Sequence, residues 1–202
     1  MRLVCLDLEG VLVPEIWIAF SEATGIPEFR RTTRDEPDYD KLMRFRIDLL
    51  GKHNLKLRDI QRAIQGMDIL PGADEFIGSL REKVQLIILS DTYEEFARPL
   101  MAKLGYPTLF CNNIETSPDG TITGYKLRQQ NGKKHAVAAF KTLNIKVFAA
   151  GDSFNDLAMI NEAHGGCLFR APQAIRESHP HIRCVDTYES LSNEIERFFA
   201  GS

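Results

Sequence analysis

The sequence is short of cysteine, has a single tryptophan and carries no excess of basic residues. Each shortage closes a class of function. The four cysteines (Cys5, Cys111, Cys167, Cys184) form no CxxC pair, and three fall in strand-like runs. That excludes a disulfide framework and leaves buried free thiols in a reducing cytoplasm. Lysine and arginine number 25 against 28 acids, a net charge of −3, which gives no footprint for nucleic acid. No apolar run approaches the roughly 18 residues of a membrane span. Residues Arg2 to Leu6 reach Asp7 too soon for a secretory leader, so none is expected. There is no nucleotide-binding fingerprint, internal repeat or low-complexity tract, and the five histidines show no metal spacing.

What is present is a 202-residue chain, 44% hydrophobic, enough for one full core and a smaller attached module. Strand-like runs occur at Leu3–Leu6, Val84–Leu89, Val147–Ala150, Gly166–Phe169 and Ile182–Val185. Helical periodicity lies between them, at Ala73–Lys83, Tyr93–Leu104, Lys133–Leu143, Asn155–Ala163 and Tyr188–Phe199. Alternation of this kind predicts an α/β fold, a Rossmann-like three-layer arrangement with helices on both faces of a parallel sheet. Residues 13–70 differ: Ile16–Thr24, Asp40–His53 and Leu57–Met67 read as helices, Asn54 as a cap before the third, and 30–37 as a polar loop. A helical cap of residues 13–70, inserted into a core of 1–12 and 71–202, is the expected organisation. Pro118-Asp119-Gly120 predicts a hairpin, and Pro99 interrupts its helix.

Four motifs carry chemistry. Asp7-Leu8-Glu9-Gly10 follows the first strand, where open α/β sheets bind ligands. Asp7 suits a nucleophile and metal ligand, and Glu9 a general acid and base. Ser90-Asp91-Thr92 follows a second strand; its hydroxyl and backbone N–H groups can hold phosphate, or Asp91 or Thr92 can simply cap a helix. Lys133-Lys134 opens a helix, where lysine opposes the macrodipole and is better explained by a nearby anion. Gly151-Asp152-Ser153-Phe154-Asn155-Asp156 follows a third strand. Its two carboxylates suit one metal ligand and one supporting acid, and hard oxygen donors point to Mg²⁺.

This order of motifs resembles the haloacid dehalogenase superfamily of phosphotransferases, over essentially the whole chain. The resemblance implies Asp7 as phosphoryl acceptor, with Ser90, Lys133 (Lys134 as the fallback) and Asn155 around the phosphate. It also implies Asp7, the Glu9 carbonyl and Asp152 around Mg²⁺, with Asp156 behind them. Within the superfamily the chain is most similar to phosphoserine phosphatases. Glu15 falls where that family binds substrate, and the run from Tyr39 to Leu50 resembles its cap helix, with Arg46 matching the arginine that takes the substrate carboxylate. Tyr39 is grouped with these substrate contacts and Asp91 with the phosphate contacts. Two departures stand out: Glu9 replaces the usual Asp, and Asp91-Thr92 the usual Gly-Gly. A subset with that glutamate is described as phosphoserine phosphatase with phosphoserine:homoserine phosphotransferase activity. The expected partners are therefore phosphoserine and homoserine, with neither nucleic acid nor membrane, and a homodimer is one assembly the sequence permits. Rival readings are a phosphatase for another small phosphomonoester, or a binding protein of the same fold without turnover.

Overall fold

A computed structural model describes every residue except Arg34, Pro37 and Ser202. The sheet has seven strands: β1 (Arg2–Leu6), β2 (Gln85–Tyr93), β3 (Thr108–Thr116), β4 (Ile122–Lys126), β5 (Lys146–Gly151), β6 (Gly165–Phe169) and β7 (Cys184–Val185). They lie in the order β4-β3-β2-β1-β5-β6-β7, parallel except for β4, which pairs antiparallel with β3. Strand order reverses at β1, so its carboxyl end opens at a topological switch point.

β1 shows why the chain makes three layers. Val4 and Leu6 enter one apolar cluster, Leu3 and Cys5 the other, as the two-residue period of a strand buried on both faces requires. Helices α4 (Ala73–Lys83), α5 (Glu94–Lys103) and α9 (Tyr188–Ala200) cover the first face. Helices α6 (Gly132–Thr142), α7 (Leu157–Glu162) and α8 (Gln173–Ser178) cover the second. All four cysteines lie in strands and are free. No described helix is long and apolar enough to cross a membrane.

Between β1 and α4 the chain forms α1 (Ile16–Thr24), a 3₁₀ turn (Pro27–Arg30), α2 (Tyr39–Lys52) and α3 (Leu57–Gln65). Trp17, Phe20 and Phe29 pack on one another, and Trp17 on Phe96 of α5. These rings extend the apolar cluster on the first face of the sheet. The segment leaves and rejoins at one point, where Leu70 N donates to Leu12 O at 2.9 Å. Pro99 sits inside α5 without breaking it. Proline cannot donate to the carbonyl four residues back, and the Glu95 carbonyl instead accepts from Gln61 Nε2 of α3 at 3.0 Å.

Several boundaries differ from expectation. β2 runs on through Ser90 to Tyr93, because the β2–β3 register shifts between Leu89 and Tyr93 and then resumes. Helix α5 therefore starts at Glu94, with Tyr93 at its N-cap making no side-chain cap bond; neither Asp91 nor Thr92 caps it. Asn54 is left-handed (φ 51°) at the end of α2, and Lys56 occupies the N-cap of α3, its N–H held by Asp59. The helix expected from Asn155 is a 3₁₀ turn (Phe154–Asp156) followed by α7. The strand expected at Ile182–Val185 is reduced to Cys184–Val185. The first half of β3 was not expected. The expected hairpin is present, with Ser117 N donating to Thr121 O at 2.9 Å. The expected loop at 30–37 includes Arg34 and Pro37, which lie outside the described residues.

Candidate active site

Asp7 continues the ladder just beyond β1: its N–H donates to Ala150 O of β5 at 3.0 Å, and its Oδ1 accepts from Leu8 N at 2.7 Å. Asp152 lies directly after β5. Lys133, in the first turn of α6, points inward, with its Nζ 2.9 Å from Asp7 Oδ1 and 2.7 Å from Asp156 Oδ1. Lys134 is exposed. Asp156 is wholly buried; its Oδ2 accepts from Asp152 N, Ser153 N and Ser153 Oγ at 3.1, 3.0 and 2.8 Å. Its oxygens thus fix Lys133 and the turn carrying Asp152. Gly151 permits this, since a Cβ there would stand 2.2 Å from Asp156 Cγ.

Carboxylate oxygens of Asp7, Asp152 and Asp156 come within 4.8 Å of one another. Burial, then the charge of Asp156, pushes the Asp7 carboxyl well up, with Lys133 opposing. Burial and the charges of Asp156 and Glu15 push Asp152 up to about 7. Burial lowers the Lys133 ammonium, but Asp156, Asp7 and Asp91 outweigh it and hold it well above its ordinary value. A hard-oxygen set this crowded, with one ammonium for neutralisation, fits a divalent cation such as Mg²⁺. Asp7 and Asp152 are the residues that would hold it, since the Asp156 oxygens are already engaged.

Glu9 turns the other way. Its Oε2 accepts from Ile16 N at 2.9 Å, capping α1, which has no side-chain cap of its own. Its carboxylate is therefore not part of the acid trio, which leaves only its carbonyl for the expected metal role. Burial and the charge of Glu15 push the Glu9 carboxyl up to about 7, against the Ile16 N–H, the Thr92 hydroxyl and Arg46. That value suits a group which must give and take a proton near neutrality.

One cavity of about 400 Å³ is lined by Asp7, Glu9, Glu15, Tyr39, Arg46, Ser90, Asp91, Lys133, Asp152 and Asn155. The structure thus brings together the residues singled out from sequence except the fallback Lys134, with Asp156 directly behind. Arg46, on α2, is buried. Its Nη2 donates to Arg31 O at 2.7 Å, its guanidinium lies 4.5 Å over the Trp17 ring, and its Nε is buried with no hydrogen-bond partner. Tyr39 bonds Tyr93 hydroxyl to hydroxyl at 2.7 Å, joining α2 to β2.

Asp91 is grouped from sequence with the phosphate contacts through the backbone N–H groups that follow Ser90; its side chain faces the same donors as a carboxylate, with Oδ2 3.6 Å from Lys133 Nζ and accepting from Asn155 Nδ2 at 3.3 Å. Sequence reasoning missed Trp17, Thr92, Tyr93, Arg170 and Pro172 as lining residues. Thr92 had a signal, its position two residues after Ser90. Arg170 is left-handed (φ 52°) at the end of β6, which no spacing rule reports.

The model of the haloacid dehalogenase-like hydrolases matches residues 1–164. Phosphoserine phosphatase ThrH of Pseudomonas aeruginosa is 53% identical over 194 residues, 96% of this chain and 95% of that one. A phosphoserine phosphatase of Pseudomonas syringae pv. tomato is 50% identical over 96% of this chain and 82% of its own. A solved structure of a substrate-bound phosphoserine phosphatase complex matches with a TM-score of 0.76 at 20% identity, covering 98% of this chain and 97% of that one. At that identity the likeness speaks for the fold alone. With a family match over most of its length and a relative identical at more than half of the aligned positions, the chain belongs to the haloacid dehalogenase-like hydrolases.

Proposed function

We propose that this hydrolase is a phosphoserine phosphatase that works through a phosphorylated Asp7 and in a share of its turnovers passes the phosphoryl group to homoserine instead of water. The carrying observation is Arg46, a buried guanidinium in the Asp7 cavity whose Nε lacks a partner. An unpaired buried donor costs about 1–3 kcal/mol, and a carboxylate matches the guanidinium fork. Glu15 lines the same cavity and is not spent on capping its own helix, so it supplies the charge opposite an ammonium. An α-amino acid carries both groups. The names of the two Pseudomonas relatives support phosphoserine as the ester.

In the first step an Asp7 oxygen attacks phosphorus in line. The bond to the serine oxygen breaks as Glu9 gives that oxygen its proton. Lys133 and Ser90 hold the phosphoryl oxygens. In the second, Glu9 takes a proton from water or an alcohol, which attacks phosphorus and releases the Asp7 carboxylate. Mg²⁺, held by Asp7, Asp152 and the Glu9 carbonyl, would supply positive charge against the phosphoryl oxygens. Homoserine is serine lengthened by one CH₂, and one methylene is worth only about 1–3 kcal/mol of discrimination. We read residues 13–70 as a cap that limits water at the site, and serine and threonine biosynthesis in the cytoplasm as the setting.

The test is phosphoserine turnover with Mg²⁺, with and without homoserine, following phosphate and phosphohomoserine together. Diversion of phosphate into phosphohomoserine is expected. Phosphate without diversion would leave a plain phosphatase. No release from phosphoserine, with release from other monoesters, would overturn the substrate.

A further inference from the structure

We propose that Asp91 is a built-in competitor for phosphate, which weakens the hold on orthophosphate and speeds its departure. The proposal rests on the phosphatase reading, because it takes Lys133 and Asn155 as phosphate-binding groups. Asp91 Oδ2 makes contact with both, at 3.6 Å and 3.3 Å. One carboxylate thus engages the two donors that a phosphoryl group needs.

The other anions on Lys133 are not exchangeable in the same way. Asp156 is wholly buried and held by three further hydrogen bonds, and Asp7 is buried beside it. The Asp91 side chain is 44% exposed and makes the longest of the three ion pairs. It can swing to water because its carboxylate is already partly solvated and Lys133 keeps two closer carboxylates, those of Asp7 and Asp156. Its backbone is fixed independently: the Asp91 carbonyl accepts from Asn112 Nδ2 at 3.0 Å. An arriving phosphoryl group displaces the carboxylate, and a phosphate left after turnover faces a like charge that returns to the same donors.

The sign separates this role from a supporting one. If Asp91 merely oriented Lys133, removing its charge would weaken phosphate binding. A competitor predicts the reverse. The measurement is orthophosphate affinity by calorimetry on Mg²⁺-loaded wild type, Asp91→Asn and Asp91→Glu, with thermal midpoints recorded alongside. Asp91→Asn should bind about tenfold more tightly, as one unit charge beside a dianion in partly solvated surroundings warrants. The gain should shrink as salt is raised, and Asp91→Glu should stay near wild type. Affinity that is unchanged or weaker in Asp91→Asn, or undetectable in every variant, overturns the proposal. Phosphoserine turnover by the same wild-type sample reports separately on the phosphatase reading.

Discussion

A Cβ placed on Gly10 would stand 2.4 Å from Asp152 Oδ2. The loop after β1 and the end of β5 therefore meet at a distance that only hydrogen on Cα allows, and Gly10 also holds φ 76°, where side chains are strained. Gly10→Ala should displace Asp152, lose about 1–3 kcal/mol of stability and weaken Mg²⁺ binding. Denaturant unfolding with and without Mg²⁺ checks both effects. Wild-type Mg²⁺ affinity in this variant would mean that Asp152 is no ligand.

Asp7→Asn removes the proposed nucleophile and leaves Lys133 its bond to Asp156. Turnover should fall by about 10³-fold or more, while the thermal midpoint holds or rises as like-charge crowding is relieved. Steady-state kinetics beside a melting curve decides it. A variant retaining a tenth of wild-type activity would remove Asp7 from the nucleophile's role.

Arg46→Lys keeps the charge and loses the fork. KM for phosphoserine should rise about 10- to 100-fold, the worth of one or two charge-assisted hydrogen bonds. An aryl phosphate without a carboxylate should lose much less. Equal losses on both esters would make Arg46 a prop for Trp17.

Burial holds the Asp152 carboxyl at about 7 and the Asp7 carboxyl well up. In the metal-free protein these acids keep protons that the unfolded chain has released, so stability falls as pH rises toward and through 7. A bound cation takes the place of those protons, so Mg²⁺ affinity rises over the same range. Thermal midpoints in Mg²⁺ and in EDTA should diverge by about 5–10 °C at pH 8 under near-saturating metal, and by clearly less at pH 6. An equal gap at both values would count against these acids as ligands.

Much of the fold was legible because its strands are short apolar runs ending in chemistry. Leu3–Leu6 before Asp7 and Val147–Ala150 before Gly151-Asp152 could hardly be read otherwise. Lys133 was readable over Lys134 by helical phase, with Ala136 and Val137 on the core face. The first half of β3 was not, since a half-buried stretch running into Asn112-Asn113 becomes a strand only through its pairing with β2. The contact of the Asp91 side chain with Asn155 was also out of reach, because it joins residues 64 apart. The Tyr39–Tyr93 contact spans 54 residues and belongs to the same class.

The bond from Leu70 N to Leu12 O closes the base of the segment that carries Glu15, Tyr39 and Arg46. Asp7, Ser90, Lys133 and Asp152 all stand outside it. A stretch whose two ends meet at one rung can change in length or sequence without altering the spacing of the strands on either side of it. What fixes it over the cavity is its side chains, Trp17 against Phe96 and Tyr39 against Tyr93.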